Sequence, residues 1–209
     1  MNKYNIVAIL GKAGSGKDSI LPSVLKQNPE LHKKISCTSR PPRDYEKDDV
    51  DYHFLSPLEF IDSPEQFIEK QCFNNWWYGT RISDLVPAPA INIGVFNIEG
   101  VEQILNKTKE VIWAKDGKGN KIMPFYQNPM QITVLPIFLS CSDKMRLIHQ
   151  LMREENPDIK EIFRRYEADE KDFTNIPFSC RIVYNEEGLL QDTIQNVSDL
   201  INSYPKFFK

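Results

Sequence analysis

Glycines and a lysine with the spacing of a phosphate-binding loop follow the first apolar run of the chain. Gly11 is separated by four residues from Gly16 and Lys17, in the stretch "GKAGSGKDS" directly after "YNIVAIL". Glycine lets such a loop turn its N–H groups inward toward a phosphate, and the positive end of the next helix adds to the attraction. A lysine at this place reaches the outer phosphates of a bound nucleotide. The pattern predicts a nucleoside triphosphate site; the alternative is a glycine-rich turn without a ligand.

The residue after the lysine departs from the usual loop, because Asp18 stands where a Ser or Thr hydroxyl ordinarily ligates Mg²⁺. Magnesium accepts carboxylate oxygens well, so we expect Asp18 to bind the ion directly or through water. Ser19 carries a hydroxyl one position later. The candidate triphosphate-binding residues are Gly11, Ala13, Gly14, Ser15, Gly16, Lys17, Asp18 and Ser19.

A second group of motifs resembles the guanylate kinase family. Residues 36–54, "SCTSRPPRDYEKDDVDYHF", are similar to the monophosphate-binding region of that family, and "FIEKQCFNNWWYGT" is similar to a later segment of it. The phosphate-binding loop and the late "IVYNEE" match the family in the same order. The resemblance spans most of the chain. It implies transfer of the γ-phosphoryl group of ATP to the phosphate of GMP or dGMP.

The resemblance also implies roles for individual acceptor-site residues. They are Ser36, Arg40, Arg43, Tyr52, Glu69, Tyr78, Thr80 and Asn97. Arginine forks and phenol hydroxyls suit the phosphate oxygens, whereas the Glu69 carboxylate suits the N1–H and N2–H₂ edge of guanine. Two hydroxyls, those of Ser36 and Thr80, complete the recognition of the base. Taken singly, the arginines would be solvated loop charges and the tyrosines core aromatics; the whole set carries the assignment.

Two departures from the family keep other functions open. Where guanylate kinases usually have the two aspartates of D-x-D, this chain has Val95 and Asn97. The Asn97 side chain carries no charge. The G-K-D-S loop and this asparagine are similar to those of ribose 1,5-bisphosphate phosphokinases, which lack the "RPPR…DYHF" stretch. A sugar bisphosphate kinase is therefore the second hypothesis. The third is a catalytically silent guanylate-kinase-like binding module.

A helical stretch rich in both charge signs, residues 143–172, resembles the mobile lid of the family. Its Arg153 and Arg165 fit the arginines that fold over the triphosphate, and Asn185 corresponds to a position near the adenine of ATP. The alternative for each arginine is an ordinary ion pair on a surface helix. The residues implied to act in catalysis are Lys17, Arg40, Arg43, Arg153 and Arg165.

The elements that must position these residues alternate between short apolar strands and amphipathic helices. Such alternation predicts an α/β fold with a parallel sheet flanked by helices, of the P-loop NTPase type. We expect one guanylate kinase-like domain over 1–209, with a core at 1–36, 90–142 and 175–209. The monophosphate-binding segment is predicted at 37–89 and the lid at about 143–174. Residues 109–131 contain "DGKGN" between apolar pieces, which predicts a surface hairpin added to this core.

Composition limits the classes of partner. The 209 residues carry a net charge of −3, which argues against bulk nucleic-acid binding. No apolar run approaches the roughly 20 residues of a membrane-spanning helix. The four cysteines lie far apart without a C-x-x-C pair, so neither a zinc site nor a disulfide framework is expected. We expect a cytoplasmic monomer or homodimer that binds small nucleotides, with Mg²⁺ as the metal cofactor.

Overall fold

Two β-sheets with helices packed around them make up the chain. The computed structural model describes residues 3–44, 46–73, 75–106, 110–115, 118, 121–127, 132–153 and 156–203. The strands are β1 (Tyr4–Leu10), β2 (Leu31–Lys33), β3 (Ser36–Thr38), β4 (Tyr52–Phe54), β5 (Phe67–Phe73), β6 (Trp76–Arg81), β7 (Ile91–Val95), β8 (Glu110–Lys115), β9 (Lys121–Gln127), β10 (Ile132–Ser140) and β11 (Arg181–Tyr184). The helices are α1 (Lys17–Gln27), α2 (Pro57–Asp62), α3 (Ile98–Asn106), α4 (Asp143–Met152), α5 (Ile159–Asp172) and α6 (Leu190–Asn202).

The central sheet contains five parallel strands in the order β2, β7, β1, β10 and β11. Strand β1 lies between β7 and β10, with Val7 opposite both Ile93 and Leu135. A parallel strand with neighbours on both sides is covered by helices on both faces, which explains its continuous apolar sequence. The predicted α/β fold of the P-loop NTPase type is confirmed.

The side chains of β1 alternate between two hydrophobic cores. Val7 and Ile9 face a core that contains the buried apolar residues of α1 and α6. Ile6, Ala8 and Leu10 face a second core, formed with α3. This period of two is the geometry of a strand. Because apolar side chains of β1 point to both faces of the sheet, helices pack on both faces. Because β1 is held from both faces, the loop that follows Leu10 starts from a rigid point.

The predicted hairpin joins the central sheet. Strands β8 and β9 pair antiparallel, and β9 continues onto the beginning of β10 through Thr133 and Val134. Strand β11 pairs with the other end of β10, from Ile137 to Ser140. Pro136 therefore lies between the two partners of that edge, where its missing N–H removes no ladder bond. Of the predicted turn at 116–120, residue Lys118 alone lies within the described residues.

The second sheet has the order β4, β3, β6 and β5, and it carries much of the predicted monophosphate-binding segment. A small apolar core supports it, in which the ring of Phe60 stacks on Phe67 at 4.8 Å and on Trp77 at 6.1 Å between centroids. Helix α2 supplies Phe60 and begins with a capping box between Ser56 and Glu59.

One predicted helix is wrong. The Ser-Pro start and the acidic residue in "SPEQFIEKQ" predict a helix, but the structure has a single 3-10 turn at Pro64–Gln66 followed by strand β5. Pairing with β6 decides this, because the ladder from Phe67 to Phe73 satisfies backbone groups that a short helix would leave free. A bulge lies between Phe67 and Glu69, and the successive side chains of Phe67 and Ile68 enter the small core and the α3 core respectively.

The remaining predicted helices α1 to α6 are present, with Pro22 inside α1. Within the described residues, no helix is long and apolar enough to cross a membrane. The described cysteines Cys37, Cys72, Cys141 and Cys180 are free thiols, as the sequence predicts.

We expect Leu135→Ala to destabilise the central sheet by about 2–5 kcal/mol, because Leu135 is fully buried and its loss leaves a cavity. Urea unfolding measures the effect. Leu58→Ala is the matched control, since Leu58 is 63% exposed and should change the free energy of unfolding by about 0.5 kcal/mol or less. Equal losses for the two variants would contradict the assigned core.

Candidate active site

The phosphate-binding loop runs from the end of β1 to the start of α1 and packs tightly against its neighbours. Gly14 and Gly16 have φ values of 77° and 94°, in the left-handed region that favours glycine. A Cβ atom at Gly14 would lie 2.5 Å from the backbone oxygen of Arg146, and one at Gly16 would overlap Nδ2 of Asn185. The two glycines are therefore required both by backbone conformation and by close contact with later parts of the chain.

Lys17 lies inside this loop. Its Nζ donates to the backbone oxygens of Gly11 at 2.6 Å and Lys12 at 3.0 Å. Burial lowers the pKa of the Lys17 ammonium, and the carboxylates of Asp18 and Asp169 oppose that shift. The lysine is thus held half-buried at the first turn of α1, which is the position expected of a phosphate-contacting group.

A cavity of about 560 Å³, which we call the donor cavity, lies over the loop. The predicted triphosphate-binding and lid residues that line this cavity are Ala13, Gly14, Gly16, Lys17, Asp18, Ser19, Arg153, Arg165 and Asn185. Asn185 is buried and its Nδ2 donates to the backbone oxygen of Ser15 at 2.9 Å. Ser15 itself is fully buried beneath the loop, so it supports the cavity without lining it. The structure therefore brings the predicted donor-site residues together.

The two predicted lid arginines differ in their partners. Arg153 lies 3.5 Å from the carboxylate of Asp18, and both side chains are largely exposed. Arg165 donates to Glu161 at 2.9 Å. The hydrogen bonds from Arg164 and, to a smaller extent, from Arg165 lower the pKa of the Glu161 carboxyl to about 2, against the effect of burial. Both arginines line the donor cavity, while each has a carboxylate partner within the chain.

Asp18 is one of three acidic residues that line the donor cavity, together with Glu186 and Glu187. The Asp18 carboxylate and the hydroxyl of Ser19 are both hard oxygen donors of the kind Mg²⁺ prefers. These two groups are too few for an all-protein cage, so Asp18 and Ser19 fit an ion that is held mainly by nucleotide phosphates and water.

Sequence reasoning missed the role of Arg146, which is fully buried and clamps the loop. Its Nε donates to the backbone oxygen of Ala13 at 3.0 Å, and its guanidinium pairs with Asp143 at 2.5 Å and with Asp169. The Asp169 carboxylate also accepts from the N–H of Ala13 at 2.8 Å. Helices α4 and α5 are thereby tied to the loop. The signal in the sequence was the Asp-x-x-Arg spacing at 143–146, which is also common on ordinary surface helices.

Gln150 is a second residue that the sequence did not single out. It lies in the wall of the donor cavity, is 8% exposed, and neither atom of its side-chain amide has a hydrogen-bond partner among the described residues. A buried amide of this kind offers one donor pair and one acceptor to a ligand.

A second cavity of about 370 Å³, the acceptor cavity, lies between the loop and the second sheet. The predicted acceptor residues that line it are Ser36, Tyr52, Glu69, Tyr78 and Asn97. The rings of Tyr52 and Tyr78 meet edge-on, with their centroids 6.5 Å apart. Burial is the main cause that raises the pKa of the Tyr52 hydroxyl, and the neighbouring Tyr78 is the second. Tyr52 therefore remains a neutral hydroxyl donor. Ala13 and Lys17 line the donor and acceptor cavities alike, so the two cavities meet at the loop.

Arg40 and Arg43 share one carboxylate, and neither is among the residues that line the acceptor cavity. Arg40 donates to both oxygens of Glu46, at 2.8 and 2.9 Å, and its guanidinium lies over the ring of Tyr52. Arg43 donates to Glu46 through its backbone N–H at 2.8 Å. Burial alone would raise the pKa of Glu46, but these hydrogen bonds lower it. The Glu46 carboxylate is thus the anion that lies between the two arginines. No sequence motif predicted this role.

A buried network forms the far end of the acceptor cavity. Glu69 is 6% exposed and accepts from the hydroxyl of Thr80 at 2.5 Å. Lys34, which the sequence analysis did not single out, donates to Thr80 at 3.0 Å and to Ser36 at 2.8 Å. Its spacing of two from Ser36 on an extended segment was the available signal, because such residues share a face.

Comparisons with known proteins find similarity to guanylate kinases. The family model described as guanylate kinase matches residues 3–90. The guanylate kinase of Gloeobacter violaceus is 33% identical over 106 residues, which cover 48% of this chain and 52% of that protein. The guanylate kinase of Bacteroides thetaiotaomicron is 28% identical over 204 residues, which cover 94% of this chain and 90% of that protein.

The chain spans about half the length of the first curated relatives that it matches. Among solved structures, guanylate kinase from Anaplasma phagocytophilum aligns with a TM-score of 0.61 and 14% identity, covering 97% of this chain and 87% of that one. At that identity the structural likeness shows the fold alone.

We expect Arg146→Met to lower the free energy of unfolding by about 3–5 kcal/mol, because it leaves Asp169 without its buried cation. Arg164→Met is the matched control on α5, where the pair with Glu161 is partly exposed and worth about 1 kcal/mol or less. Urea unfolding of both variants measures the difference. Similar losses would contradict the clamp.

Proposed function

We propose that this chain is a guanylate kinase-like enzyme that transfers the γ-phosphoryl group of ATP to the phosphate of GMP or dGMP, giving GDP or dGDP. The observation that carries the proposal is the meeting of the two cavities at Ala13 and Lys17. A donor phosphate in the loop and an acceptor phosphate beside Tyr52 and Tyr78 would then lie on opposite sides of the same lysine.

Positioning is the main contribution required of the protein. The acceptor oxygen is already anionic, so no general base is needed, and catalysis consists of aligning two repelling anions and spreading positive charge over the moving group. Lys17 is the cation common to both cavities. On phosphate binding, its hydrogen bonds to the Gly11 and Lys12 carbonyls would be replaced by bonds to phosphate oxygens.

On the donor side we propose that Asp18 assists a divalent ion, with Mg²⁺ as the ion, and that Ser19 lies in the same coordination region. When bound, the ion would neutralise charge on the triphosphate oxygens. Arg153 and Arg165 would exchange Asp18 and Glu161 for phosphate oxygens. Gln150 and Asn185 lie on the same cavity wall, within reach of the nucleoside part of ATP.

On the acceptor side we propose that the phosphate of GMP replaces Glu46 as the partner of Arg40 and Arg43. The phosphate would gain bidentate contacts from the guanidinium groups and neutral hydrogen bonds from the two tyrosine hydroxyls. Glu69 would accept from the N1–H and N2–H₂ edge of guanine, whereas adenine presents an acceptor at N1. This difference favours guanine as the base.

The remaining features of the proposal concern the whole protein. We propose one domain, with the monophosphate-binding segment at 37–89 and the lid at about 143–174 as predicted. A cytoplasmic monomer or homodimer acting on free nucleotides, without nucleic acid or membrane partners, is consistent with the net charge of −3.

The first experiment is a coupled measurement of ADP release with ATP and Mg²⁺. The acceptors to compare are GMP, dGMP, AMP, CMP, UMP and ribose 1,5-bisphosphate. We expect turnover with GMP and dGMP alone. Turnover with ribose 1,5-bisphosphate alone would contradict the proposal in favour of a sugar bisphosphate kinase. No turnover with any acceptor would instead indicate a binding module.

We expect Lys17→Ala to reduce kcat by about a hundredfold or more, the usual effect of removing one charge-stabilising donor from an active site. Circular dichroism should show an unchanged fold. Lys26→Ala, which removes an exposed lysine from the last turn of the same helix, is the control. Retained turnover in Lys17→Ala would exclude this role for the loop.

We expect Glu69→Gln to reduce the preference for GMP over AMP while leaving the KM for ATP unchanged, because Glu69 faces the acceptor cavity. Competition between GMP and AMP in the same assay measures the preference. Glu65→Gln, an exposed carboxylate in the preceding turn, is the control. An unchanged preference in Glu69→Gln would contradict the base-recognition role.

A further inference from the structure

A buried lysine lies in the wall of the acceptor cavity. Lys34 is 5% exposed, lines the cavity, and its Nζ lies 4.0 Å from the centre of the Phe96 ring. It donates to the hydroxyls of Ser36 at 2.8 Å and Thr80 at 3.0 Å, and to the backbone oxygen of Val95 at 3.3 Å. Three oxygen partners use the three N–H bonds of an ammonium group.

This arrangement determines the direction of two hydrogen bonds. Because an ammonium group only donates, the hydroxyls of Ser36 and Thr80 must both accept from Lys34. The Thr80 hydroxyl then donates to Oε1 of Glu69 at 2.5 Å. For the Ser36 hydroxyl, no acceptor is found within the described part of the chain, and Ser36 lines the cavity. Its proton is therefore available to an acceptor atom of a ligand.

Asn97 and Glu69 complete the same end of the cavity. Oδ1 of Asn97 accepts from the backbone N–H of Gly100 at 2.8 Å, so the Nδ2 group is the one left to donate. A Cβ atom on Gly100 would lie 2.8 Å from Oε2 of Glu69 and 2.9 Å from Oδ1 of Asn97, so the two side chains are neighbours. With Oε1 engaged by Thr80, Oε2 of Glu69 is left as an acceptor.

The charge balance supports this network. Burial lowers the pKa of Lys34, and the carboxylate of Glu69 is the largest influence that raises it. The Thr80 hydroxyl bridges the two side chains by accepting from one and donating to the other. A buried cation and a buried anion linked in this way compensate each other and leave the Thr80 hydroxyl a single orientation.

We propose that Lys34 is a positioning residue that fixes the Ser36 hydroxyl as a donor, so that the pocket accepts a 6-oxopurine and rejects a 6-aminopurine. The proposal rests on the proposed function and deepens it. A 6-oxo group would accept from Ser36 while the adjacent N1–H donates to Glu69. A 6-aminopurine reverses both polarities, which leaves two buried donors facing each other and two acceptors facing each other.

The test compares binding of IMP and AMP, which differ only in the 6-substituent and the N1 proton. Isothermal titration gives the two dissociation constants for the wild-type protein, Lys34→Met, Ser36→Ala and the double variant. We expect each single variant to lower the AMP-to-IMP ratio of dissociation constants by about tenfold, the effect of one hydrogen bond at its upper range. The double variant should show no further loss, because Lys34 acts through Ser36.

Two controls separate positioning from a general loss of structure. Lys33→Met removes the neighbouring exposed lysine, whose Nζ donates to the backbone oxygen of Val50, and should keep the wild-type ratio. The KM for ATP should also stay within about twofold in all variants, since the donor cavity is untouched; a structural role would weaken IMP and AMP binding equally.

A wild-type AMP-to-IMP ratio of dissociation constants in either single variant would overturn the proposal. A reduction of that ratio in the double variant equal to the combined effects of the two single variants would also overturn it. If Lys34→Met fails to fold, a wild-type ratio in Ser36→Ala still overturns the proposal. The outcome is separate from that of the proposed function, because wild-type turnover with GMP is measured independently. A protein that phosphorylates GMP while Ser36→Ala keeps the ratio refutes this inference only.

Discussion

The close packing of the phosphate-binding loop is the constraint on which the rest of the structure depends. The loop follows the rigid strand β1, and its backbone oxygens accept hydrogen bonds from the side chains of Asn185 and Arg146. Both contacts approach glycine positions so closely that no side chain fits there. Because these partners come from β10–α4 and from the end of β11, the order of strands in the central sheet is a condition for the shape of the loop.

Paired cations that are buried or half-buried are the second common feature of the site. Lys17 donates to loop carbonyls, Arg40 to Glu46, Arg146 to Asp169, and Lys34 is linked to Glu69 through the Thr80 hydroxyl. A charge removed from water without a partner is costly, so these carboxylates and carbonyls hold the cations in place. Anion binding at such a site would exchange one set of partners for another, and part of the required desolvation is already complete.

Most elements could be predicted from local pattern, and the exceptions have a physical cause. The apolar run of β1 and the amphipathic patterns of α3 and α6 depend on periodicity, which neighbouring residues establish. Strand β5 could not be identified in this way, because its Ser-Pro start is a helix signal and its pairing partner β6 lies later in the chain. The same error concealed the burial of Glu69, which depends on the bulge at Ile68.

The type of chemistry could be predicted from the local sequence, since Gly11, Gly16 and Lys17 form a motif whose backbone requirements are met within one turn of chain. The acceptor residues could be predicted as well, through motifs that the resemblance placed in order. Which groups face one another depends on the tertiary structure. The meeting of two cavities at Lys17, the Arg146 clamp and the Lys34 network each join segments distant in sequence. Such contacts depend on sheet order and helix packing, which no local spacing encodes.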